Sequence, residues 1–209
     1  MNNFEAKIDA LLEYQPGLKH VKENVIEGSL HVNRNLDSCW VNREFKIKIE
    51  LNQENVFFSH VYDKENYIEK TFPHINHNGS FCLATPIDLL LASLNDDSLV
   101  AFCKNFIETF LFSYEYYKRY NMYPFEDRAH GAKGVLESYM ELTQIYDSDK
   151  LIEFLSILIK KKNQYGKNAF CPCKSGKKVR VCHKEFIDLL SCEQVVKQVK
   201  KDVRIMELC

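Results

Sequence analysis

Apolar and polar positions alternate most clearly between Phe45 and Leu51, where Phe45, Ile47, Ile49 and Leu51 are separated by Lys46, Lys48 and Glu50. A period of two sends successive side chains to opposite faces, so this segment predicts a strand with one buried and one wet face. Apolar runs over 25–32 and 56–62, bounded by turns containing Asn and Asp, predict neighbouring strands. Ahead of them Phe4, Ile8, Leu11 and Leu12 recur at helical spacing until Pro16-Gly17 breaks the pattern, which predicts a short amphipathic helix over 3–14. The first 65 residues therefore read as one helix followed by an antiparallel meander.

From Ile87 the pattern changes. Leu99, Phe102, Phe106, Phe110, Phe112 and Tyr114 occur in a stretch without Gly or Pro, and predict a long helix that lays an aromatic face on the sheet and ends at Tyr123-Pro124. That aromatic stripe is assigned to the core and given no chemistry. A further helix is predicted over about 129–145, with Asp127 near its start as a cap. Leu151, Ile152, Leu155, Ile157 and Leu158 mark another, running into Lys160-Lys161-Lys162. No repeat or low-complexity segment is present. The expected divisions are a first domain over 1–146, a connecting helix and basic linker over 147–167, and a small module with a terminal helix over 168–209.

Composition narrows the class. With 45% hydrophobic and 27% charged residues the chain reads as a soluble globular protein. The opening MNNFEAKIDALLEY lacks the basic start and apolar core of a secretory signal, and no uncharged apolar run approaches the roughly 20 residues of a membrane span. A cytoplasmic location without membrane contact is the expectation. Eight cysteines in that setting point to free thiols, metal ligands or catalysis rather than to disulfides. Charge is uneven as well: nine basic and no acidic residues fall between Lys160 and Lys184, leaving 19 of the 28 basic residues against all 29 acidic ones elsewhere, a net −10. A basic tail on an acidic body indicates two units with different partners.

The tail carries FCPCKSGKKVRVCHKE, in which Cys171-x-Cys173 is followed, after eight intervening residues, by the pair Cys182-His183. Two close pairs of sulfur and imidazole ligands joined by a Ser175-Gly176 turn supply the four donors of a closed tetrahedral zinc site. The pattern resembles the short zinc motif at the carboxy terminus of the bacterial preprotein translocase ATPase, C-x-C-x-S-G-x(n)-C-[C/H], which recurs on many bacterial proteins. The resemblance implies a structural Zn2+ held by Cys171, Cys173, Cys182 and His183, in a knuckle that contacts a partner protein or, in some cases, nucleic acid or ribosomes. Nucleic acid is not required to explain the surrounding lysines.

The remaining chemistry centres on HINHNGSFCLATP, residues 74–86. A free cysteine by itself is most often a small buried hydrophobe. Read backwards from Cys82, however, the segment resembles the active-site segment of ubiquitin-conjugating enzymes, an H-P-N motif leading through a glycine turn to an apolar residue, the cysteine and a leucine. Without gaps, Pro73, Gly79, Phe81, Cys82 and Leu83 fall on the motif proline, turn glycine, apolar position, nucleophile and leucine. Two positions depart: Phe72 stands where the family has histidine and His74 where it has asparagine. The tryptophan-proline downstream of the cysteine in most eukaryotic members is missing, since the single tryptophan is Trp40.

The resemblance implies an α+β ubiquitin-conjugating-enzyme fold, an antiparallel meander flanked by helices, with the zinc knuckle as an appendage. It implies a transferase that carries a protein's carboxy terminus as a thioester on Cys82 and passes it to a lysine amine of an acceptor protein. The family's asparagine stabilises an oxyanion, a role open to an imidazole N–H of His74; His74 as a base or as a brace for the loop are the alternatives. His77, three residues nearer to Cys82 than His74, is a candidate for lowering the thiol pKa. Asp127 and His130, in YPFEDRAHGAKG, are candidates for helping the incoming lysine lose its proton or for the active-site region, with helix capping as the competing role.

Members that stand alone with histidine in place of the asparagine resemble those encoded in antiphage defence operons of the CBASS kind. The implied donor there is a cGAS-like nucleotidyltransferase, or else a ubiquitin-like protein. Two other readings compete: a non-catalytic adaptor that binds such a tail through the same fold, and a cysteine hydrolase pairing Cys82 with His74 or His130.

Overall fold

The computed structural model of the chain describes residues 3–125, 128–161 and 165–207. Packing divides the chain into two compact units, Met1–Ala84 with Ala92–Asp127, and Thr85–Leu91 with Arg128–Cys209. Among the described residues no helix is long and apolar enough to cross a membrane. The architecture is α+β, with one antiparallel sheet and flanking helices.

In the first unit α1 (Asn3–Tyr14) buries Ile8 and Leu11, one turn apart on a single face. Gln15 then joins the helix to the sheet. Its amide donates to the His31 carbonyl and accepts from the His31 N–H, each at 3.0 Å. The sheet consists of β1 (Leu18–Lys22), β2 (Val25–Leu36), β3 (Cys39–Glu50) and β4 (His60–Asp63), all antiparallel and in sequence order. Gly17 and Gly28 permit β1 to approach β2: a Cβ on Gly28 would lie 2.2 Å from the Gly17 carbonyl oxygen, and its φ of +143° disfavours a side chain in any case.

The expected strand over 56–62 divides in two. Val56–Phe58 forms a 3₁₀ turn, capped by the Asn55 side chain accepting from the Phe57 N–H at 2.9 Å, and only then does β4 begin. Consecutive burial of Val56 and Phe57 is incompatible with the alternation of a strand. The inner sheet face, with Ile26, Leu30, Val32, Phe45, Ile47 and Ile49, is buried. A long helical run in the same unit supplies further core side chains: α3 (Leu99–Phe102), a π-helical turn (Cys103–Ile107) and α4 (Glu108–Tyr120). Phe102, Phe110, Phe112 and Tyr114 are buried, in keeping with the aromatic stripe as core. The π turn leads into Glu108, whose carboxylate accepts from the Tyr14 hydroxyl at 2.7 Å. The helix stops at Asn121 in the left-handed conformation, two residues before the expected break.

In the second unit α5 (Gly131–Thr143), α6 (Ser148–Lys160), α7 (Lys184–Leu189) and α8 (Glu193–Met206) enclose Tyr139, Phe154, Leu155, Phe186, Val199 and Val203. α2 (Pro86–Asn95) begins in this unit. Arg128 ties that beginning to α5 by pairing with both Asp88 and Glu141 and donating to the Ser138 hydroxyl. A wholly buried carboxylate, Asp202 of α8, accepts from the Tyr139 hydroxyl and the Gln198 amide, both at 2.8 Å. Burial pushes its pKa upward.

Candidate functional sites

Residues 72–83 are held by their own backbone. Asn76 N–H donates to the Ser80 carbonyl and Gly79 N–H to the Asn76 carbonyl, each at 2.8 Å, which closes a tight turn. Gly79 occupies it at φ +83°, where a side chain is strained. The Asn76 amide then crosses the turn to the Phe81 carbonyl at 3.1 Å, and the Asn78 side chain accepts from the Ser80 N–H and hydroxyl. On the far side of the turn the chain hooks onto β4, with Phe81 N–H donating to the Val61 carbonyl at 2.8 Å. Phe81, only 4% exposed, stacks on Phe110 with ring centroids 4.3 Å apart and planes 12° from parallel. This apolar anchor fixes where the next residue, Cys82, must stand.

Cys82 is half-buried, and its backbone N–H donates to the His74 carbonyl at 2.8 Å. The two residues that the resemblance singles out are thus adjacent across a closed turn. Burial pushes the Cys82 thiol above its ordinary pKa, so it is protonated at neutral pH. His77 is exposed on the turn.

Phe72, at the position of the family's histidine, is buried among aromatic rings: Tyr114 at 5.0 Å, Tyr117 at 5.5 Å and Phe110 at 5.9 Å between centroids. Packing therefore anchors the start of the loop. His74 packs against Phe72, at 5.3 Å, and Tyr123, at 5.2 Å with the rings 88° apart, and those two rings are themselves 6.1 Å apart. Asp127 lies outside the described residues. His130 belongs to the second unit, at the position before α5 in extended conformation, whereas Cys82 and His74 belong to the first. Sequence reasoning missed Asn76 and Tyr123. Asn76 had a local signal in Asn-x-Asn-Gly-Ser, whereas Tyr123 had none, because its contact with His74 spans 49 positions.

The second candidate site is the cysteine-histidine cluster. The ligand atoms of Cys171, Cys173, Cys182 and His183 all lie within 4.8 Å of one another, so this group could hold a metal ion. A turn with Lys174 at φ +63° and Gly176 at φ +74° brings the first pair back toward the second. Cys171 N–H donates to the Lys177 carbonyl at 2.8 Å across that turn. His183 Nε2 is 2.7 Å from the Thr143 carbonyl oxygen. A carbonyl only accepts, so Nε2 carries the proton and Nδ1 presents its lone pair. Nδ1 is the nitrogen that faces the sulfurs, 3.2 Å from Cys171 Sγ and 3.3 Å from Cys182 Sγ. An outer partner that fixes the tautomer in this way is a common feature of metal-binding histidines.

The thiols are unequal. Burial pushes Cys171 up to about 12. Burial acts on Cys173 in the same sense, but hydrogen bonds from Ser175, Cys171 and Cys182 outweigh it and bring Cys173 down to about 6. Clustered sulfurs that share protons so unevenly are suited to a cation, which would favour the thiolate at every one.

No protein-family model, curated protein or solved structure matches the chain.

Proposed function

We propose that the chain is a ubiquitin-conjugating-type transferase of bacterial antiphage defence, with Cys82 as thioester carrier, and that Cys171, Cys173, Cys182 and His183 hold a structural zinc. The observation that carries the reading is the placement of Cys82. It follows a buried aromatic anchor and a closed glycine turn, half-open to solvent and hydrogen-bonded to His74, in the segment whose residues match the conjugating-enzyme motif.

The chemistry asks for little beyond this. Cys82 Sγ loses its proton and attacks the carbonyl carbon of a donor thioester; a new S–C bond forms and the donor's thiol leaves. A lysine amine then attacks the same carbon, the amide forms, and the Cys82 S–C bond breaks to restore the thiol. Both steps pass through a tetrahedral oxyanion, to which an imidazole N–H of His74 can donate. A protonated resting thiol suits an enzyme whose donor arrives already activated, since it limits oxidation and stray alkylation between turnovers. The donor in this reading is the carboxy terminus of a cGAS-like nucleotidyltransferase or a ubiquitin-like protein.

For zinc, a tetrahedron with metal–sulfur bonds of about 2.3 Å has edges of about 3.8 Å. Cys173 Sγ and Cys182 Sγ stand 3.5 Å apart, close to such an edge. With four protein ligands no position remains for substrate, so the ion braces the fold and takes no part in transfer.

The non-catalytic adaptor is the second reading, and the half-burial of Cys82 favours it. Incubation with an activated donor separates the two. The transferase forms a thiol-sensitive adduct that Cys82→Ala abolishes and that Cys82→Ser converts to a thiol-resistant one; the adaptor binds the donor and forms neither.

A further inference from the structure

We infer that Asn76 is a positioning residue for Cys82, its side-chain amide fixing one end of the Phe81–Cys82 peptide whose other end is bonded to His74; the inference rests on the transferase reading of Cys82. A peptide unit has one acceptor and one donor. In this one the Phe81 carbonyl accepts from the Asn76 amide at 3.1 Å, and the Cys82 N–H donates to the His74 carbonyl at 2.8 Å. Phe81 N–H is taken by the Val61 carbonyl, also at 2.8 Å, and Phe81 is bridged to Ile75 as in an antiparallel pair. The peptide is planar and includes the Cα of the residue that follows, so fixing its carbonyl and its N–H fixes the Cα from which the Cys82 thiol projects.

The orientation of the Asn76 amide follows from its partners. Ser80, which is buried, gives its one hydroxyl proton to Asn78 Oδ1 at 2.8 Å, so toward Asn76 Nδ2, 3.0 Å away, its oxygen can only accept. The Phe81 carbonyl oxygen only accepts as well. Both amide protons of Asn76 are therefore spent, one on Ser80 and one on Phe81. Asn76 is itself exposed, so replacing it opens no buried cavity. The lock also decides what the backbone can contribute to transfer. In the serine-protease template the nucleophile's own N–H faces the oxyanion. Here the Cys82 N–H is already given to His74, so the locked peptide supplies position, and charge on the reacting oxygen falls to another donor.

The test uses the full chain and a synthetic peptide α-thioester with a benzyl thiol leaving group. Cys82 Sγ loses its proton and forms a new S–C bond to the acyl carbon, while the old S–C bond breaks and benzyl thiol leaves. Acylation is timed for the wild type, Asn76→Ala and Asn76→Asp, the last having the shape of asparagine without an N–H to donate at neutral pH. Misplacing a reacting group by about 1 Å costs up to about 100-fold in rate. Loss of one of the bonds that fix the peptide is a part of that, so both variants are expected to acylate about tenfold more slowly. Iodoacetamide, a small reagent that needs a thiolate and access but little direction, should alkylate Cys82 of Asn76→Ala no more slowly than in the wild type. Amide hydrogen exchange at the Cys82 N–H, which involves no acyl chemistry, should quicken by up to about tenfold, on the order of one net hydrogen bond.

A wild-type acylation rate in either variant, alkylation slowed in step with acylation, or unchanged exchange at the Cys82 N–H each overturns the assignment of Asn76. Should Asn76→Ala lose the cooperative unfolding of the wild type, Asn76→Asp takes its place for acylation and exchange, and the same outcomes decide. A wild-type chain that never acquires the acyl group on Cys82 overturns the transferase reading, and the part of Asn76 in transfer with it, whereas an acylated wild type beside an equally fast Asn76→Ala overturns the positioning role alone.

Discussion

Phe81 is the residue on which the position of Cys82 depends, and Phe81→Ala isolates its contribution. The ring is 4% exposed and stacked on Phe110 at 4.3 Å. Truncating a buried Phe to Ala costs about 3–5 kcal/mol, from lost transfer energy plus the cavity left behind. Of that, about 0.5–1.5 kcal/mol belongs to the ring pair beyond its buried area. With a urea slope of about 2 kcal/mol per M, a loss near 4 kcal/mol lowers the unfolding midpoint by about 2 M.

The second consequence is local. Without the anchor, hydrogen bonds from Phe81 N–H to Val61, from Cys82 N–H to His74 and from the Asn76 amide to the Phe81 carbonyl remain to hold the hook, and Cys82 gains solvent. Its thiol pKa then falls toward the ordinary value, and the thiolate fraction at a pH below both values rises. Iodoacetamide labelling of native Phe81→Ala at mildly alkaline pH, followed by peptide mass mapping, should show Cys82 reacting faster than in the wild type. Phe110→Ala should reproduce both effects, and the double variant should cost less than the two combined. A midpoint within a few tenths of a molar of wild type, together with unchanged Cys82 labelling, would refute the anchoring argument.

Other outcomes follow from single residues. Gly79→Ala meets no atom within 4 Å at its new Cβ, so its cost is the backbone strain of φ +83° alone, about 1 kcal/mol by denaturant unfolding; a loss beyond about 3 kcal/mol would mean that the turn is packed more tightly. Asp202 has a raised folded-state pKa, so its contribution to stability is fully present below the ordinary carboxyl value of 3.8 and is lost as pH rises through the folded value. Asp202→Asn should therefore flatten that part of the stability profile and gain on the wild type as pH rises; parallel profiles would contradict this. On the zinc reading, stripping the ion with a chelator, or His183→Ala, should lower the thermal midpoint of the helical signal, because His183 packs on Phe154 at 4.7 Å and holds the Thr143 carbonyl at the end of α5. Confirmed metal loss with an unchanged midpoint would restrict the ion's role to the knuckle.

What could be read from the sequence was whatever has a local period or a local spacing. β3 alternates because one face, Arg43 apart, is buried, and Cys171 to His183 form a cluster because two close pairs of ligand residues meet across a single turn of chain. β1 escaped notice because Leu18 is its one buried residue. α2, Pro86–Asn95, escaped because its apolar residues run together as Leu89-Leu90-Leu91 without a clean stripe. The π turn at Cys103–Ile107 leaves no mark in composition, and the run over 56–62 looked like a strand because apolar residues predominate in both halves. At the candidate site, Cys82 and His74 were visible as a spaced motif. The surroundings of Phe72 were not, since a helix some 40 positions further on supplies them.

The central claim is that Cys82 carries an acyl group and gives it to an amine. Intact-mass measurement of the full chain after exposure to a synthetic peptide α-thioester with a benzyl thiol leaving group tests it directly. The expected result is one acyl increment per chain, mapped to Cys82, removed by dithiothreitol, passed to free lysine with release of unmodified protein, and absent from Cys82→Ala. A folded, metal-loaded chain in which Cys82 stays unacylated, or in which the increment persists in Cys82→Ala, would contradict the assignment.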